Sequence, residues 1–290
     1  MLIEPWIVDE TMYEFFVPDY IEQMAEDVLR HYDLSVQSRQ VVTTKPDKGG
    51  AIWKLETNKG PKSLKLLHRR PTRSLFSLGA QRYLVDVQKA NVPPIVQTTD
   101  GMDYVEVGGK LWFVAEWIEP LFSVTKDLEG AKQLCYALGE FHRLSKGYVP
   151  PKGAEIASRL YKWPKTYEKT INKMDWFRQL AKAYKEMPAS AMLLEVVDHF
   201  QAQARESFAR LQQSPYHQLV ERGNSEWGLV HQDYGWSNGR QAKRSIVFFL
   251  PLRAFSITGM PYLCCAPLHT TIGMNSYIQT ISSLKFYIDM

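Results

Sequence analysis

"GLVHQDYGWSNG", Gly228–Gly239, sets a His, an Asp and an Asn in the order H-x-D-x-x-x-x-N. Two apolar residues, Leu229 and Val230, come first and the chain then turns polar, as a short strand running into a loop does. Phosphoryl transfer needs this combination. An Asp accepts or orients the proton of the attacking hydroxyl, and an Asn five residues on offers an oxygen to Mg2+. On that logic Asp233 and His231 are the catalytic candidates, with His231 bracing the loop, and Asn238 is the metal candidate. The bland alternative is a turn whose Asp and Asn satisfy backbone groups.

Working outward, the chain before this loop falls into two parts. Residues 19–31 carry Ile21, Met24, Ala25, Val28 and Leu29 on one helical face, with Asp19 as an N-cap and Glu22 three places on. Three strand-like runs follow, 38–44, 51–58 and 63–69. They are joined by "KPDKGG" (45–50) and "KGP" (59–61), spacings that suit antiparallel hairpins. A helix over 74–90 stops at Asn91 and Pro93-Pro94. Two more strands, 102–107 and 110–118, flank Gly108-Gly109. From about residue 121 the period becomes helical. Residues 126–147 align Leu134, Ala137, Leu138, Phe141 and Leu144. Residues 164–187 are highly charged. Residues 188–212 align Leu193, Val197, Phe200, Ala204, Phe208 and Leu211. The expected fold is therefore α+β and bilobal. A sheet-rich lobe spans 1–118, a mostly helical lobe carrying the catalytic-type loop spans 119–239, and an atypical tail spans 240–290.

Composition bounds the function. Of 290 residues, 45% are apolar and 23% charged, so a packed protein is expected. The net charge of +4, from 35 basic and 31 acidic side chains, does not argue for nucleic acid. The densest basic run, "KLLHRRPTR" (Lys65–Arg73), reads as a solvated strand end and loop, the alternative being an anion-binding patch. No uncharged apolar run reaches membrane-spanning length, and the N-terminus does not read as a signal peptide. Three cysteines, Cys135, Cys264 and Cys265, form no metal-ligand spacing and no even disulfide framework, which suits a reducing compartment.

"VHQDYGWSNG", together with "SLKLLHRRP", "FVAEWIEP" and "ALGEFHRLS", resembles the CotS-type spore coat proteins. These form part of the larger set of aminoglycoside-phosphotransferase-like and choline-kinase-like enzymes. The resemblance covers residues 1 to about 239. It implies a protein-kinase-like fold and a place in the coat of bacterial endospores, reached after synthesis in the mother-cell cytoplasm. It also implies other coat proteins as partners, with a small-molecule acceptor if the chain is active. By the same resemblance Lys65 corresponds to the strand lysine that holds nucleotide phosphates; its other reading is a snorkelling surface lysine. Gly49 and Gly50 occupy the turn that covers the nucleotide, or an ordinary hairpin. "VAEWIEP" corresponds to the linker that grips adenine, or to an edge strand. His142 is structural. ATP and Mg2+ are the implied cofactors. Neither Gln81 nor Asp86 matches the glutamate that pairs with the lysine in protein kinases.

The machinery runs out after the loop. A second Asp should close the next strand, since Mg2+ takes oxygen ligands in near-octahedral array. Pro251 and Leu252 follow "SIVFFL" (245–250) instead, and the only acid after Asp233 is Asp289. The expectation is a very weak kinase or none, with a tail that is divergent or read out of frame. An incomplete helical lobe would also leave the apolar faces of 126–147 and 188–212 uncovered.

Overall fold

The computed structural model describes residues 1–8, 15–156, 158, 160–222, 228–230, 236, 239–242, 245–248 and 256–258. Their strands and helices form two compact units. One comprises the described residues up to 156 and the strands of 228–248, the other residues 158–222.

The first unit is built on an antiparallel sheet. Its strands are β1 (Val36–Lys45), β2 (Gly50–Thr57), β3 (Lys62–Leu66), β4 (Ile95–Val96), β5 (Val105–Val107) and β6 (Lys110–Glu116). The order is β1-β2-β3-β6-β4, with β5 also paired to β6. Register explains which side chains meet. Trp53 faces Leu64 and Leu64 faces Val114 across the strands, while Ile52, Lys65 and Phe113 form the adjacent row on the opposite face. The first row joins Ala51, Leu55, Leu66 and Trp112 in a core closed by Ile21, Ala25 and Val28 of α1 (Asp19–Leu29). The second row joins Leu67, Leu111 and Ala115 and packs with Leu75 and Leu78 of α2 (Pro71–Asp86). A sheet covered on both faces buries every residue of its central strand. All of Lys62–Leu66 are buried, so the alternation expected of a half-exposed strand is absent.

The expected cap of α1 is not formed. Pro18 is the N-cap and makes no side-chain bond, and Asp19 is the first helical residue. Glu22 does not reach back to close a capping box because its carboxylate is taken. It accepts from the Trp53 indole at 2.8 Å and pairs with Arg39 at 2.7 Å. Asp19 and Glu22 still place negative charge in the first turn, where the helix dipole favours it.

Helix α3 (Leu128–Leu144) is capped by Asp127, which accepts from the Gly130 amide at 2.8 Å. Its apolar face does not stand open as the sequence suggested: Leu134, Ala137, Leu138 and Phe141 are all buried. A short strand, β7 (Phe122–Ser123), pairs with β9 (Gly239–Ala242), which pairs in turn with β10 (Ser245–Phe248). The start of the tail therefore forms a hairpin.

The second unit is a helical hairpin, α4 (Trp163–Ala183) and α5 (Pro188–Gln213), followed by α6 (Tyr216–Glu221). Tyr167 stacks on Phe208 with ring centroids 5.7 Å apart. Arg178 of α4 holds Asp198 of α5 at 2.7 Å and donates to Gln201, whose amide donates to the Ile171 carbonyl. Val197 and Leu211 of α5 are buried, whereas Phe200 is exposed. Among the described residues no helix is long and apolar enough to cross a membrane.

Candidate functional site

Lys65 sits in the middle of the central strand, between Ile52 and Phe113. It is 8% exposed, so the surface-lysine reading does not hold. Its ammonium lies 5.5 Å from the centre of the Phe113 ring, a cation–π arrangement. Burial lowers its pKa from the ordinary 10.5 to about 8. Among the described residues no carboxylate pairs with it. Gln81 of α2 is buried and turned away, donating to the Pro93 carbonyl at 2.7 Å. Asp86 pairs with Arg82, its neighbour one turn back. The result is a buried lysine with an aromatic ring, and among the described residues no carboxylate, beside it.

This has a measurable consequence. A lysine with a depressed folded-state pKa binds fewer protons folded than unfolded between pH 8 and 10.5, so stability rises through that window. Below about pH 8 the cost of keeping the charge buried is present in full. Lys65→Met keeps the volume and removes that cost. We expect its melting temperature at pH 7 to exceed the parent's by several degrees. The gap should close as pH climbs toward 10, and thermal unfolding across that range checks both points.

The turn beside this face needs its glycines. Gly49 follows the 3-10 turn Pro46–Lys48 with φ of 63°, a left-handed conformation that glycine adopts without strain. Gly50 begins β2 so close to His68 that a Cβ would sit 2.8 Å from the His68 Cβ. The turn is tied down. Lys110 Nζ donates to the His68 carbonyl at 2.7 Å and to the Lys48 carbonyl at 3.3 Å. The N-terminal segment crosses it, the Trp6 amide donating to the Pro46 carbonyl at 3.0 Å. Burial, with Lys45, Arg69, Lys48 and Lys110 around it, holds the His68 imidazole down at about 4, so it is neutral at pH 7.

After β6 the chain runs through Trp117 and Glu119. The Glu116 and Trp117 amides already donate to the Pro94 and Pro61 carbonyls. Lys54 pairs with Glu119 at 2.9 Å and with Glu56 at 3.3 Å, and lies 5.5 Å from the Trp117 ring centre. The Trp117 indole donates to the same Glu119 oxygen. Sequence reasoning missed this cluster, because Lys54 and Glu119 are 65 positions apart and nothing local links them.

The strand leading into the H-x-D-x-x-x-x-N loop, β8 (Gly228–Val230), is docked on the end of α3. Ser145, fully buried, accepts from the Leu229 amide at 2.8 Å and donates to the His142 carbonyl at 2.9 Å. The His142 ring lies edge-on to Phe141, at 5.9 Å. His231, Asp233 and Asn238 lie outside the described residues, as do Cys264 and Cys265. The structure thus places Lys65 and Gly50 in one sheet, Gly49 in the turn that leads into it, and the strand Gly228–Val230 that enters the loop against the end of α3.

An antiparallel sheet with a buried central lysine, a glycine turn between its first two strands, and helices after it defines the kinase-like phosphotransferase fold. Solved structures agree. An aminoglycoside phosphotransferase from Alicyclobacillus acidocaldarius subsp. acidocaldarius superimposes with a TM-score of 0.68 over 90% of this chain and 73% of its own, at 18% identity. An amicoumacin kinase, in complex with AMP-PNP and Ca2+, does so with a TM-score of 0.53 over 84% and 66%, at 16% identity. In sequence the chain is homologous to spore coat protein S of Bacillus subtilis (strain 168), 28% identical over 219 residues. The alignment takes in 74% of this chain and 61% of that relative's length. No family profile matches the chain.

Proposed function

We propose that this chain is a spore coat protein that uses a kinase-like fold as a structural or interaction module, with weak or no phosphotransferase activity. Its homology to spore coat protein S carries the reading. One feature of the chain supports the loss of activity: no acid lies between Asp233 and Asp289 to serve as the second metal ligand. Removing one group that stabilises transition-state charge costs about 10²–10³ in rate. A site short of a metal carboxylate is expected to release ADP at or near background.

The test has two arms. A tagged chain in sporulating cells should collect in the spore coat; a chain that stays in the mother-cell cytoplasm would refute the coat role. Purified chain with Mg2+ and ATP should release ADP no faster than its Asp233→Ala variant.

The second reading is an ATP-dependent small-molecule phosphotransferase, and the uncompensated Lys65 ammonium favours it. On this reading Lys65 and the Gly49-Gly50 turn would hold the ATP phosphates and Asn238 the Mg2+. The metal would supply charge neutralisation between the phosphates, while Asp233, braced by His231, would take the proton of an acceptor hydroxyl. ADP release lost in Asp233→Ala would establish this reading over the first.

A further inference from the structure

The outer face of α4 carries an uninterrupted line of exposed side chains at spacings of four, four, three and four: Lys165, Lys169, Lys173, Trp176 and Leu180. At 100° per residue these fall on one stripe. Tyr184, the C-cap, and Met187, in the turn to α5, prolong it. The apolar members are between 39% and 55% exposed. The opposite face is the one that packs, through Ile171, Ala181 and Arg178. Charge and apolarity are separated along the axis. The first half of the stripe is lysine and the second is Trp, Leu, Tyr and Met, over roughly 22 Å from Lys165 to Leu180. Among the described residues none of the three lysines has a carboxylate partner, and the Lys173 ammonium lies 5.6 Å from the centre of the Phe177 ring. No Asp or Glu stands in the line. Glu168 lies to one side, and Asp175 is held by Arg178.

We infer that this face of α4 is a docking surface for an acidic amphipathic protein helix, one that sets carboxylates against Lys165, Lys169 and Lys173 and aliphatic side chains against Trp176, Leu180 and Tyr184. The inference rests on the interaction-module reading and names the chemistry of the partner. Lysines with no internal counter-charge call for an acidic occupant, and a large exposed apolar patch beside them calls for one with an apolar end. A membrane surface fits less well. A helix lying in a bilayer interface needs its apolar face along its whole length, and here half the stripe carries none. The chain's own residues 260–290 hold a single acid, Asp289, and so cannot answer three lysines.

A fluorescein-labelled, 20-residue helical peptide tests it, with Glu at every fourth place in one half and Leu at every fourth place in the other, read by anisotropy. Saturable binding to the full chain is expected. It should weaken at least tenfold in Lys165→Glu/Lys169→Glu/Lys173→Glu, at least tenfold in Leu180→Ser/Tyr184→Ser, and at least tenfold when the peptide's Glu residues become Gln. All of these protein changes are on exposed positions, so circular dichroism should be unaltered. Absence of saturable binding, equal binding of the Gln peptide, or competition by phosphatidylglycerol vesicles would each overturn the inference. So would self-association of the parent that Leu180→Ser/Tyr184→Ser abolishes. Each of these outcomes leaves the coat location untouched, because that is read separately in cells.

Discussion

Trp112→Ala should lower the free energy of unfolding by about 3–5 kcal/mol. Trp112 is fully buried and stacks on Trp53, with ring centroids 5.6 Å apart and planes 22° from parallel. It faces Leu66 on one neighbouring strand and Val105 on the other, and its indole donates to the Val107 carbonyl at 3.1 Å. Alanine would remove the ring from between two strands that cannot close the gap without breaking register, and would leave Trp53 with an open face. Domains carry only about 5–15 kcal/mol in total, so the loss is a large share of the whole and the unfolding midpoint should fall markedly. Trp176→Ala is the control. The same chemical change at a half-exposed place should move stability by no more than about 0.5 kcal/mol. Urea titration of the two variants separates them; equal midpoints would mean that the Trp53–Trp112 stack does not hold the sheet.

The contrast between these tryptophans shows what a sequence yields and what it withholds. The three strands around Trp53 and the long helices beyond residue 121 are legible because hydrophobic period and turn residues agree there, while the helix read at 74–90, found at Pro71–Asp86, is marked by the Asn91 and Pro93-Pro94 stop that follows it. The two-residue strand Ile95–Val96 is not, because it exists only by pairing with Val114 and Ala115, nearly twenty residues on. The cap on α1 misleads because Glu22 is claimed by Trp53 and Arg39, partners that only the tertiary fold brings near. Lys65 becomes a candidate only through the resemblance of "SLKLL" to the strand lysine of kinase-like enzymes, with which its place in the strand order agrees. Its burial is hidden, since a lysine among leucines reads the same on an edge strand as on a central one. That Gln81 spends its amide on Pro93 cannot be foreseen either, because the bond depends on where the chain returns after α2. The loop at Asp233 is the reverse case. The linear spacing of its three polar residues is its whole signature, so the sequence speaks for it where contacts do not.

Helix α2 illustrates a second consequence, at Gly79. With no lysine–carboxylate pair tying α2 to β3, it is held instead by residues 146–155, which lie along it. The Tyr83 hydroxyl donates to the Lys146 carbonyl at 2.6 Å and the Tyr148 hydroxyl to the Phe76 carbonyl at 2.7 Å. The Glu155 amide donates to the Thr72 carbonyl at 2.9 Å, and its carboxylate takes Arg73 at 2.7 Å and also Arg70. Gly79 makes room at the centre. A Cβ there would stand 2.6 Å from Pro151 Cδ and 2.7 Å from the Tyr148 hydroxyl oxygen. Pro151 is exposed and can shift, but the Tyr148 hydroxyl cannot retreat cheaply, since it is buried and hydrogen-bonded; burial also holds the Tyr148 phenol well above its ordinary pKa. A glycine in a helix costs about 1 kcal/mol against alanine, so propensity alone would make Gly79→Leu stabilising. Overpacking of about 1–3 kcal/mol and a lost buried hydrogen bond of about 1–3 kcal/mol run the other way and win. The expected net loss is about 3 kcal/mol, with proteolytic cleavage within 146–155 appearing in the folded variant. Tyr148→Phe, which removes only the hydroxyl, should cost about 1 kcal/mol and leave the segment resistant. If Gly79→Leu proves as stable as the parent and no easier to cut, residues 146–155 do not seat on α2 and something else must hold the helix against Lys65.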